Sequence, residues 1–314
     1  MHKFNEHHPD LKGFSAYFEK DVAPLLSARE AERRDKINKA KTYGVGIIAL
    51  GILLIIIVKI LRRDGGFDVT IMMATGAGLV GMYYYLFKEI SVFTKQQIVD
   101  GICHYVGWTF VAKPDLPPDL TAWTRLFLIP NGYEKSGILG GKTVKYEDQI
   151  SGLAHGADFN SVELKLTRQS GKRTVTDFQA QLMTITFPRK FSARTLVLRD
   201  KGRFQRKAKS DMKRVGLVDP IFENIFEAYS TDQVEARYLL DPVFMQKLVD
   251  LETSVNGKNI RFAFYDSQLF IAIETNDRYE AGSMFKSLLD PERTQRILNE
   301  IVAIFNVIDG VIER

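Results

Sequence analysis

Residues 44–58 read Gly-Val-Gly-Ile-Ile-Ala-Leu-Gly-Ile-Leu-Leu-Ile-Ile-Ile-Val, and residues 69–87 form a second apolar run that contains no charged side chain. A helix rises about 1.5 Å per residue, so about 20 apolar residues cross a hydrocarbon core of about 30 Å. Only residues 62–68 separate the two runs, and Gly65-Gly66 supplies the backbone freedom for a tight reversal. The two runs therefore predict a transmembrane hairpin with spans at residues 43–61 and 69–87.

The Lys and Arg residues beside the spans predict the orientation of this hairpin. The connecting end carries Lys59, Arg62 and Arg63. The opposite end carries the larger set, which consists of Arg29, Arg33, Arg34, Lys36, Lys39, Lys41, Lys88 and Lys95. Because positive residues concentrate on the cytoplasmic side, both termini are predicted to be cytoplasmic.

The composition is 45% hydrophobic and 26% charged, which is typical of a chain that folds outside its spans. A formal net charge of +5 and a pI near 9.0 are explained by orientation and anionic lipid before nucleic acid is considered. The single cysteine, Cys103, excludes an intramolecular disulfide and suits a reducing compartment.

The regions flanking the hairpin differ in pattern. Residues 1–42 predict a charged helical segment, and residues 88–118 predict an amphipathic helix followed by a proline-rich linker. Residues 119–314 predict a cytoplasmic α+β domain. Alternating strands at residues 161–168 and 172–187, with a bulge between Leu182 and Ile185, indicate an antiparallel sheet. Three Asp-Pro pairs, at residues 219, 241 and 290, each predict a helix start with an aspartate cap.

Another hairpin is predicted at residues 259–265 and 268–274, around the turn Asp266-Ser267. Its alternating apolar residues are expected to share one buried side; they are Ile260, Phe262, Phe264, Leu269, Ile271 and Ile273.

A glycine-rich stretch, Ser136-Gly-Ile-Leu-Gly-Gly-Lys-Thr143, is one residue short of the phosphate-binding loop pattern. That chemistry needs a helix that starts at the lysine, so that its positive end faces the phosphate. The residues after Thr143 show little helical periodicity, and a flexible glycine loop is the favoured interpretation. Gly141, Lys142 and Thr143 remain the candidate nucleotide-binding residues.

Residues 189–214 contain eleven basic side chains against Asp200 and Asp211. A tethered domain lies near an anionic leaflet, where each basic residue contributes about 1 kcal/mol. A solvated loop and contact with lipid or an acidic partner both fit this stretch, whereas nucleic acid is not favoured because no base-stacking signature accompanies it. The candidate contact residues are Lys201, Arg203, Arg206, Lys207, Lys209, Lys213 and Arg214.

Small residues lie on one face of the second span at Ala74, Ala77, Gly78 and Gly81. Such faces let helices approach closely in lipid, so these residues are predicted to pack against the first span or to support a homo-oligomer. Neither span carries a charge at mid-membrane depth, which argues against a transporter.

No catalytic triad, zinc-ligand cluster or metalloprotease motif is present in the sequence, so no catalytic residue, metal or cofactor is predicted. His155, between glycine-containing turns, is interpreted as a turn residue rather than a catalytic base.

Several stretches resemble the bacterial domain-of-unknown-function family 3137. They are Leu128-Ile-Pro130, Glu147-Asp-Gln-Ile-Ser-Gly152 and residues 219–240, of which Asp232-Gln-Val-Glu-Ala-Arg-Tyr-Leu-Leu240 is the most specific. The resemblance implies an inner-membrane protein without an assigned activity, and it implies a LemA-type membrane protein as a possible partner. Physically, residues 232–240 predict a helix capped by Thr231 or Asp232, with Val234, Tyr238 and Leu239 facing inward.

The sequence therefore favours a membrane-anchored cytoplasmic interaction or scaffold domain that binds a protein partner and contacts anionic lipid. A membrane-associated enzyme acting on a nucleotide or phosphate ligand through residues 136–143 is the alternative. An accessory subunit of a transport or envelope-maintenance assembly is the second alternative.

Overall fold

The computed structural model describes residues 2–61, 68–115, 119–133, 141–187, 190–199, 211–254 and 258–312. The chain divides into two compact units, the first made of residues 1–101 and 280–297 and the second of residues 102–279 and 298–314. The α+β fold class is confirmed: two long apolar helices precede a domain with an antiparallel sheet and helices. The predicted domain boundaries at residues 42, 87 and 118 stay predictions.

The first unit begins with a small aromatic cluster. Short helical pieces, α1 (Phe14–Tyr17), a π-helical turn (Phe18–Val22) and α2 (Ala23–Ala28), place Phe14 and Phe18 in its core. Phe4 completes the cluster, with its ring centroid 4.9 Å from that of Phe18. Glu6 accepts hydrogen bonds from the backbone N–H groups of Gly13 and Ser15, at 2.8 and 2.7 Å, and so fixes the start of α1.

Two helices are long and apolar enough to cross a membrane, α3 (Glu30–Leu61) and α4 (Asp68–Tyr105). At 1.5 Å per residue they are roughly 48 and 57 Å long, well beyond a hydrocarbon core of about 30 Å. Residues 88–105, where the sequence predicts an amphipathic helix, continue α4 without a break. The reason is that residues 88–105 contain neither proline nor a helix-ending glycine motif, and Gly101 packs against Val22.

The second unit contains the sheet. Among the described residues its strands are β1 (Thr109–Val111), β2 (Lys142–Ala154), β3 (Ala157–Ser170), β4 (Arg173–Thr186), β5 (Thr195–Arg199), β6 (Lys213–Val215), β7 (Phe226–Ser230), β8 (Lys258–Tyr265) and β9 (Gln268–Glu274). They pair antiparallel in the order β1-β2-β3-β4-β9-β8-β5-β7-β6. The strands predicted at residues 161–168, 172–187 and 259–274 are confirmed.

Two details of the sheet differ from the sequence interpretation. The predicted bulge between Leu182 and Ile185 is wrong, because β4 pairs with β9 in unbroken register there and the irregularity lies at Asp177, opposite Leu166 and Thr167. The β8–β9 hairpin buries both faces rather than one, since Ala263, Phe270 and Ala272 are buried as well. A strand near the middle of a sheet has neighbours on both faces, and an alternating pattern does not reveal the second layer.

The helices of the second unit are α5 (Leu120–Arg125), α6 (Pro220–Ile225), α7 (Gln233–Leu239) and α8 (Pro242–Ser254), and α9 (Pro291–Ile312) closes the chain. The three predicted Asp-Pro helix starts are confirmed at α6, α8 and α9. On one side of the sheet Trp123 packs edge-on against Phe270, with centroids 5.1 Å apart. Elsewhere in the unit, Trp108 contacts Phe159 and Phe305, at 4.6 and 4.1 Å between centroids.

Candidate functional site

The candidate site is an exposed surface of the second unit, which we call the α6–α8 face. It consists of Lys213, Arg214, Val218, Ile221, Val234, Arg237, Tyr238 and Val243. All of its apolar members are exposed, which is unusual for five large apolar residues outside the membrane spans within one thirty-residue stretch. The elements that carry these residues are held in place by helix caps, hydrogen bonds and buried neighbouring side chains.

The edge strand β6 supplies the basic part of the face. β6 pairs with β7 and is the last strand of the sheet, so one of its edges is not covered by another strand. Lys213 and Arg214 are both exposed there. Helix α7 lies alongside, because the Gln233 side chain donates a hydrogen bond to the Lys213 carbonyl at 3.3 Å.

Arg214 also contacts a buried carboxylate. Its Nε lies 3.8 Å from Oε1 of Glu227, which is almost fully buried in β7. The Tyr229 hydroxyl donates to the other Glu227 oxygen at 2.7 Å. Lys213 therefore presents its charge to solvent, whereas Arg214 shares its charge with Glu227.

The loop after β6 presents Val218, which is 87% exposed. The loop is held from two sides: the Leu217 N–H donates to Glu223 of α6 at 2.9 Å, and Arg237 of α7 donates to the Gly216 carbonyl at 3.4 Å. These bonds connect α6, α7 and the loop into one surface.

Helix α6 adds Ile221 to this surface. Asp219 accepts hydrogen bonds from the N–H groups of Ile221 and Phe222, at 2.8 and 3.1 Å, and so fixes the start of the helix. Phe222 then points into the core, where its ring lies 5.1 Å from that of Phe226. Since adjacent residues of a helix face different directions, Ile221 is left exposed.

Helix α7 carries the most specific stretch of the family resemblance. Asp232 is its cap, accepting from the N–H groups of Val234 and Glu235 at 2.7 and 3.0 Å, which confirms one of the two predicted caps. The inward orientation predicted for Val234 and Tyr238 is wrong, because they are 78% and 63% exposed, whereas Leu239 is buried as predicted.

The physical reason is the shortness of α7. Two helical turns lying at the sheet edge bury one narrow stripe, and Ala236 and Leu239 occupy it. Val234 and Tyr238 are four residues apart and share another stripe. Glu235 is used for a different purpose, because its carboxylate accepts from the N–H groups of Ser192 and Ala193 at 3.0 and 2.6 Å.

Helix α8 completes the face with Val243. Asp241 accepts from the Phe244 N–H at 2.8 Å, and the Phe244 ring packs 5.7 Å from that of Phe264 in the core. The structure thus exposes five apolar side chains of the α6–α8 face. The elements that carry these side chains are held in place by neighbouring residues that are buried in the core or cap a helix.

Most of the predicted basic contact residues, Lys201, Arg203, Arg206, Lys207 and Lys209, lie outside the described residues. Lys213 and Arg214 are the two that the structure describes, and it places both on the α6–α8 face. The sequence interpretation missed the apolar members of this face. One sequence signal could have identified three of them. Val218, Ile221 and Val243 each lie within two residues of an aspartate helix cap, where some of the neighbouring side chains point outward.

The candidate nucleotide residues have a different setting from the one a phosphate loop needs. Lys142 begins strand β2, not a helix, so no helix amino terminus faces Gly141, Lys142 and Thr143. The Lys142 ammonium lies 4.8 Å from the centroid of the Tyr133 ring and donates to the Gly132 carbonyl at 3.1 Å. Residues 134–140 lie outside the described residues. Nucleotide binding here stays a prediction, and its geometric requirement is not met.

The small residues of α4 divide into two sets. Gly78 packs against the first span, since a β-carbon there would lie 3.6 Å from Ile47. A β-carbon on Gly81 would meet nothing within 4 Å, and Ala74 and Ala77 are exposed. Packing within the hairpin thus uses Gly78, and Gly81 faces outward.

Within the part of the chain that the structure describes, no group of three or more His, Cys, Asp or Glu side chains could hold a metal ion. His155 has a backbone φ of +49°, as its interpretation as a turn residue requires, and its ring nitrogen lies 2.6 Å from Asp309.

The model of the family described as protein of unknown function (DUF3137) matches residues 176–311, a range that contains the whole α6–α8 face. The predicted family resemblance is confirmed over this range. Among curated proteins nothing matches this chain. The chain is similar to the crystal structure of the mycobacterial trehalose monomycolate transport factor A, with 14% identity over 67% of this chain and 92% of that chain. The TM-score of 0.34 is too low for this likeness to support an inference about the chain.

Proposed function

We propose that this protein is a membrane-anchored interaction domain that binds a protein partner through the α6–α8 face. The observation that supports this proposal most directly is that five large apolar residues are exposed on α6, α7, α8 and the loop before α6; they are Val218, Ile221, Val234, Tyr238 and Val243. Hydrogen bonds join α6, α7 and that loop. Exposed apolar groups that lie together are costly in water, and a protein interface with an apolar centre and a polar rim removes them from it.

The charges on the face indicate the character of the partner. Lys213, Arg214 and Arg237 are cationic, and the apolar side chains lie on the elements beside them. Charge complementarity therefore favours a partner surface with apolar side chains and an acidic rim. The resemblance to the family suggests a LemA-type membrane protein, and this identity is part of the proposal.

The cellular location of the domain is part of the same proposal. Two helices able to cross a membrane precede the domain, and the positive residues flanking them favour an inner-membrane location with both termini in the cytoplasm. In that orientation, the domain is on the side of the anionic leaflet, and the basic composition of residues 201–214 favours contact with lipid.

The proposal is tested with a photo-crosslinking amino acid placed at Val234 in the full chain in its native membrane. Leu153 is the matched control, because it is an apolar residue of the second unit with 61% exposure, on β2 rather than on the face. We expect one discrete protein adduct at position 234 that is absent at position 153.

A second set of variants tests whether the adduct depends on the whole face. Val218→Asp and Val243→Asp should each abolish the adduct at position 234, because each places a charge among the apolar groups. Adducts of equal yield at positions 234 and 153 would contradict the proposal. An adduct of twice the chain mass would show that the face binds a second copy of this chain instead of another protein. Lipid adducts alone would show that the face contacts the membrane surface.

A further inference from the structure

Arg293, near the start of α9, is a buried cation in the first unit with an exposure of only 4%. One end of its guanidinium is fully used: Nη2 donates to the carbonyls of Ser283, Ser287 and Lys286, at 2.8, 3.2 and 3.4 Å. The other edge is not used, because Nε and Nη1 are buried and have no hydrogen-bond partner among the described residues.

Such an arrangement is costly for a protein. A buried charged group that lacks a partner loses its hydration without compensation, and most buried polar groups therefore have partners. No carboxylate of the described residues lies within ion-pair distance of Arg293. Burial lowers the pKa of its guanidinium, and the charges of Arg296 and Arg33 act in the same direction, although Asp290 opposes them.

Arg293 lines a cleft of about 170 Å³. Its other lining residues include Gly282, Ser283, Lys286, Asp290 and Arg296. A water molecule takes about 30 Å³ in the liquid, so the cleft has room for a phosphate-sized group together with several waters.

The charges around the cleft are unequally compensated. Lys286 is paired with Glu292 at 2.7 Å and with Asp290 at 3.5 Å. Arg296 donates to the Glu280 carbonyl at 2.8 Å, and no carboxylate of the described residues pairs with it. Arg293 and Arg296 therefore both line this cleft without an ion pair to a carboxylate of the described residues, although Asp290 and Glu292 line it as well.

Gly282 creates the space for the second arginine. Its φ is +71°, and a β-carbon there would lie 2.5 Å from Nη2 of Arg296. The helix end itself is already occupied, because Asp290 accepts the Glu292 N–H at 3.1 Å. The arginine side chains, and not the helix dipole, are thus the groups available to a ligand.

The segment that forms the cleft lies at the end of the second apolar run. The Phe285 ring is 5.5 Å from that of Tyr83 and 5.8 Å from that of Phe87, and the Met284 N–H donates to the Tyr83 hydroxyl at 3.2 Å. Phe285 is nonetheless 56% exposed. Aromatic residues at the end of a span lie at the level of lipid headgroups, where the phosphates are.

We propose that the cleft at Arg293 and Arg296 binds a phosphate group, either that of an anionic lipid headgroup or a soluble phosphate. A guanidinium binds two phosphate oxygens through parallel N–H groups, and the Nε–Nη1 edge of Arg293, buried in the unliganded chain, has no other hydrogen-bond partner among the described residues. Arg296 supplies the second cation. This inference does not depend on the α6–α8 face, which belongs to the other unit.

The test uses the full chain in phosphatidylcholine nanodiscs with and without phosphatidic acid, and separately in titrations with inorganic phosphate. Bound lipid is counted by native mass spectrometry, and thermal stability is followed in parallel. Arg296→Gln is the principal variant, because it leaves the three carbonyl bonds of Arg293 in place. Arg173→Gln is the control, since it removes an equal charge from an exposed site on β4 of the second unit, outside the α6–α8 face.

We expect saturable binding of phosphatidic acid or inorganic phosphate to the unmodified chain, weakened about tenfold or more by Arg296→Gln and unchanged by Arg173→Gln. Gly282→Ala should weaken this binding as well, because the added methyl group displaces Arg296. Retention of phosphatidic acid without a response to millimolar phosphate would identify the lipid source, and the reverse would identify a soluble phosphate. Binding in neither arm, or equal loss in Arg296→Gln and Arg173→Gln, would overturn the proposal.

Discussion

The Thr75 side chain occupies the space that a β-carbon on Gly51 would need, with Cγ2 only 3.1 Å from that position. The same seam continues toward the amino-terminal end of α3, where Gly44 faces Leu79 at 3.8 Å and Gly78 faces Ile47 at 3.6 Å. The two spans are therefore packed antiparallel in one register, and glycine at position 51 sets their closest approach.

Gly51→Val should push the spans apart and destabilise the hairpin by roughly 1–3 kcal/mol, because no flexible side chain can move away from the added groups. Gly46→Val is the control, since a β-carbon there meets nothing within 4 Å. Helical circular dichroism during thermal unfolding in detergent provides the measurement. Equal stability of the two variants would show that the seam does not hold the hairpin.

Gly81→Leu tests the outward set of small residues. If Ala74, Ala77 and Gly81 support a homo-oligomer, the leucine should block it and increase mobility on a native gel, whereas the hairpin stays folded. Gly78→Leu should instead destabilise the hairpin, because Gly78 packs against Ile47. Unchanged mobility for Gly81→Leu would exclude assembly through that surface.

Glu30 lies at the start of α3, outside the apolar part of that helix. Its ionisation is expected to make the free energy of unfolding depend on pH. Burial opposes its ionisation, but hydrogen bonds from Arg33 at 2.6 Å and from the Leu288 N–H at 3.1 Å outweigh burial and lower its pKa to about 2. Its contribution, of order 3 kcal/mol, is present above the ordinary carboxyl pKa of about 4.5 and is lost as the pH falls toward 2.

We therefore expect the melting temperature of the solubilised chain to fall between pH 4.5 and 2, and to fall less steeply in Glu30→Gln. The substitution should also lower the melting temperature at pH 7, since the amide cannot replace the charge beside Arg33. Parallel pH curves for both proteins would assign the acid sensitivity to other carboxylates.

Helix α7 allows a direct comparison of neighbouring residues. Leu239→Ala should destabilise the second unit by about 2–4 kcal/mol, because Leu239 is buried, whereas Val234→Ser should change stability by less than about 0.5 kcal/mol. Cys103 is fully buried and is the single cysteine, so its reactivity with a thiol dye reports unfolding of this unit. Comparable losses for both variants would place Val234 in the core.

Much of this fold was accessible from local sequence patterns. Uninterrupted apolar runs predicted the two spans, aspartate-proline pairs predicted three helix starts, and alternation predicted the β3–β4 and β8–β9 hairpins. These features depend on residues within a few positions of one another, because capping, helix length and strand alternation are local properties. The candidate contact residues Lys213 and Arg214 were also visible as part of a basic run.

Other features depended on distant residues. The sequence does not show that residues 280–297 join the first unit, where Arg33 donates to the Met284 carbonyl across most of the chain length at 2.9 Å. It does not show that Val234 faces solvent, because a two-turn helix offers too few residues to define its buried stripe. The sequence also does not show that Nε and Nη1 of Arg293 lack hydrogen-bond partners among the described residues. That feature depends on which backbone carbonyls the folded chain brings to Nη2.

By itself, the sequence determined that the chain contains two adjacent helices long and apolar enough to cross a membrane, followed by an antiparallel α+β domain, because hydrophobic length and periodicity act over neighbouring residues. Only the tertiary structure decided which apolar side chains remain exposed and which arginine is buried without a full set of partners. Burial depends on the elements that pack around a residue, and long-range contacts bring those elements together.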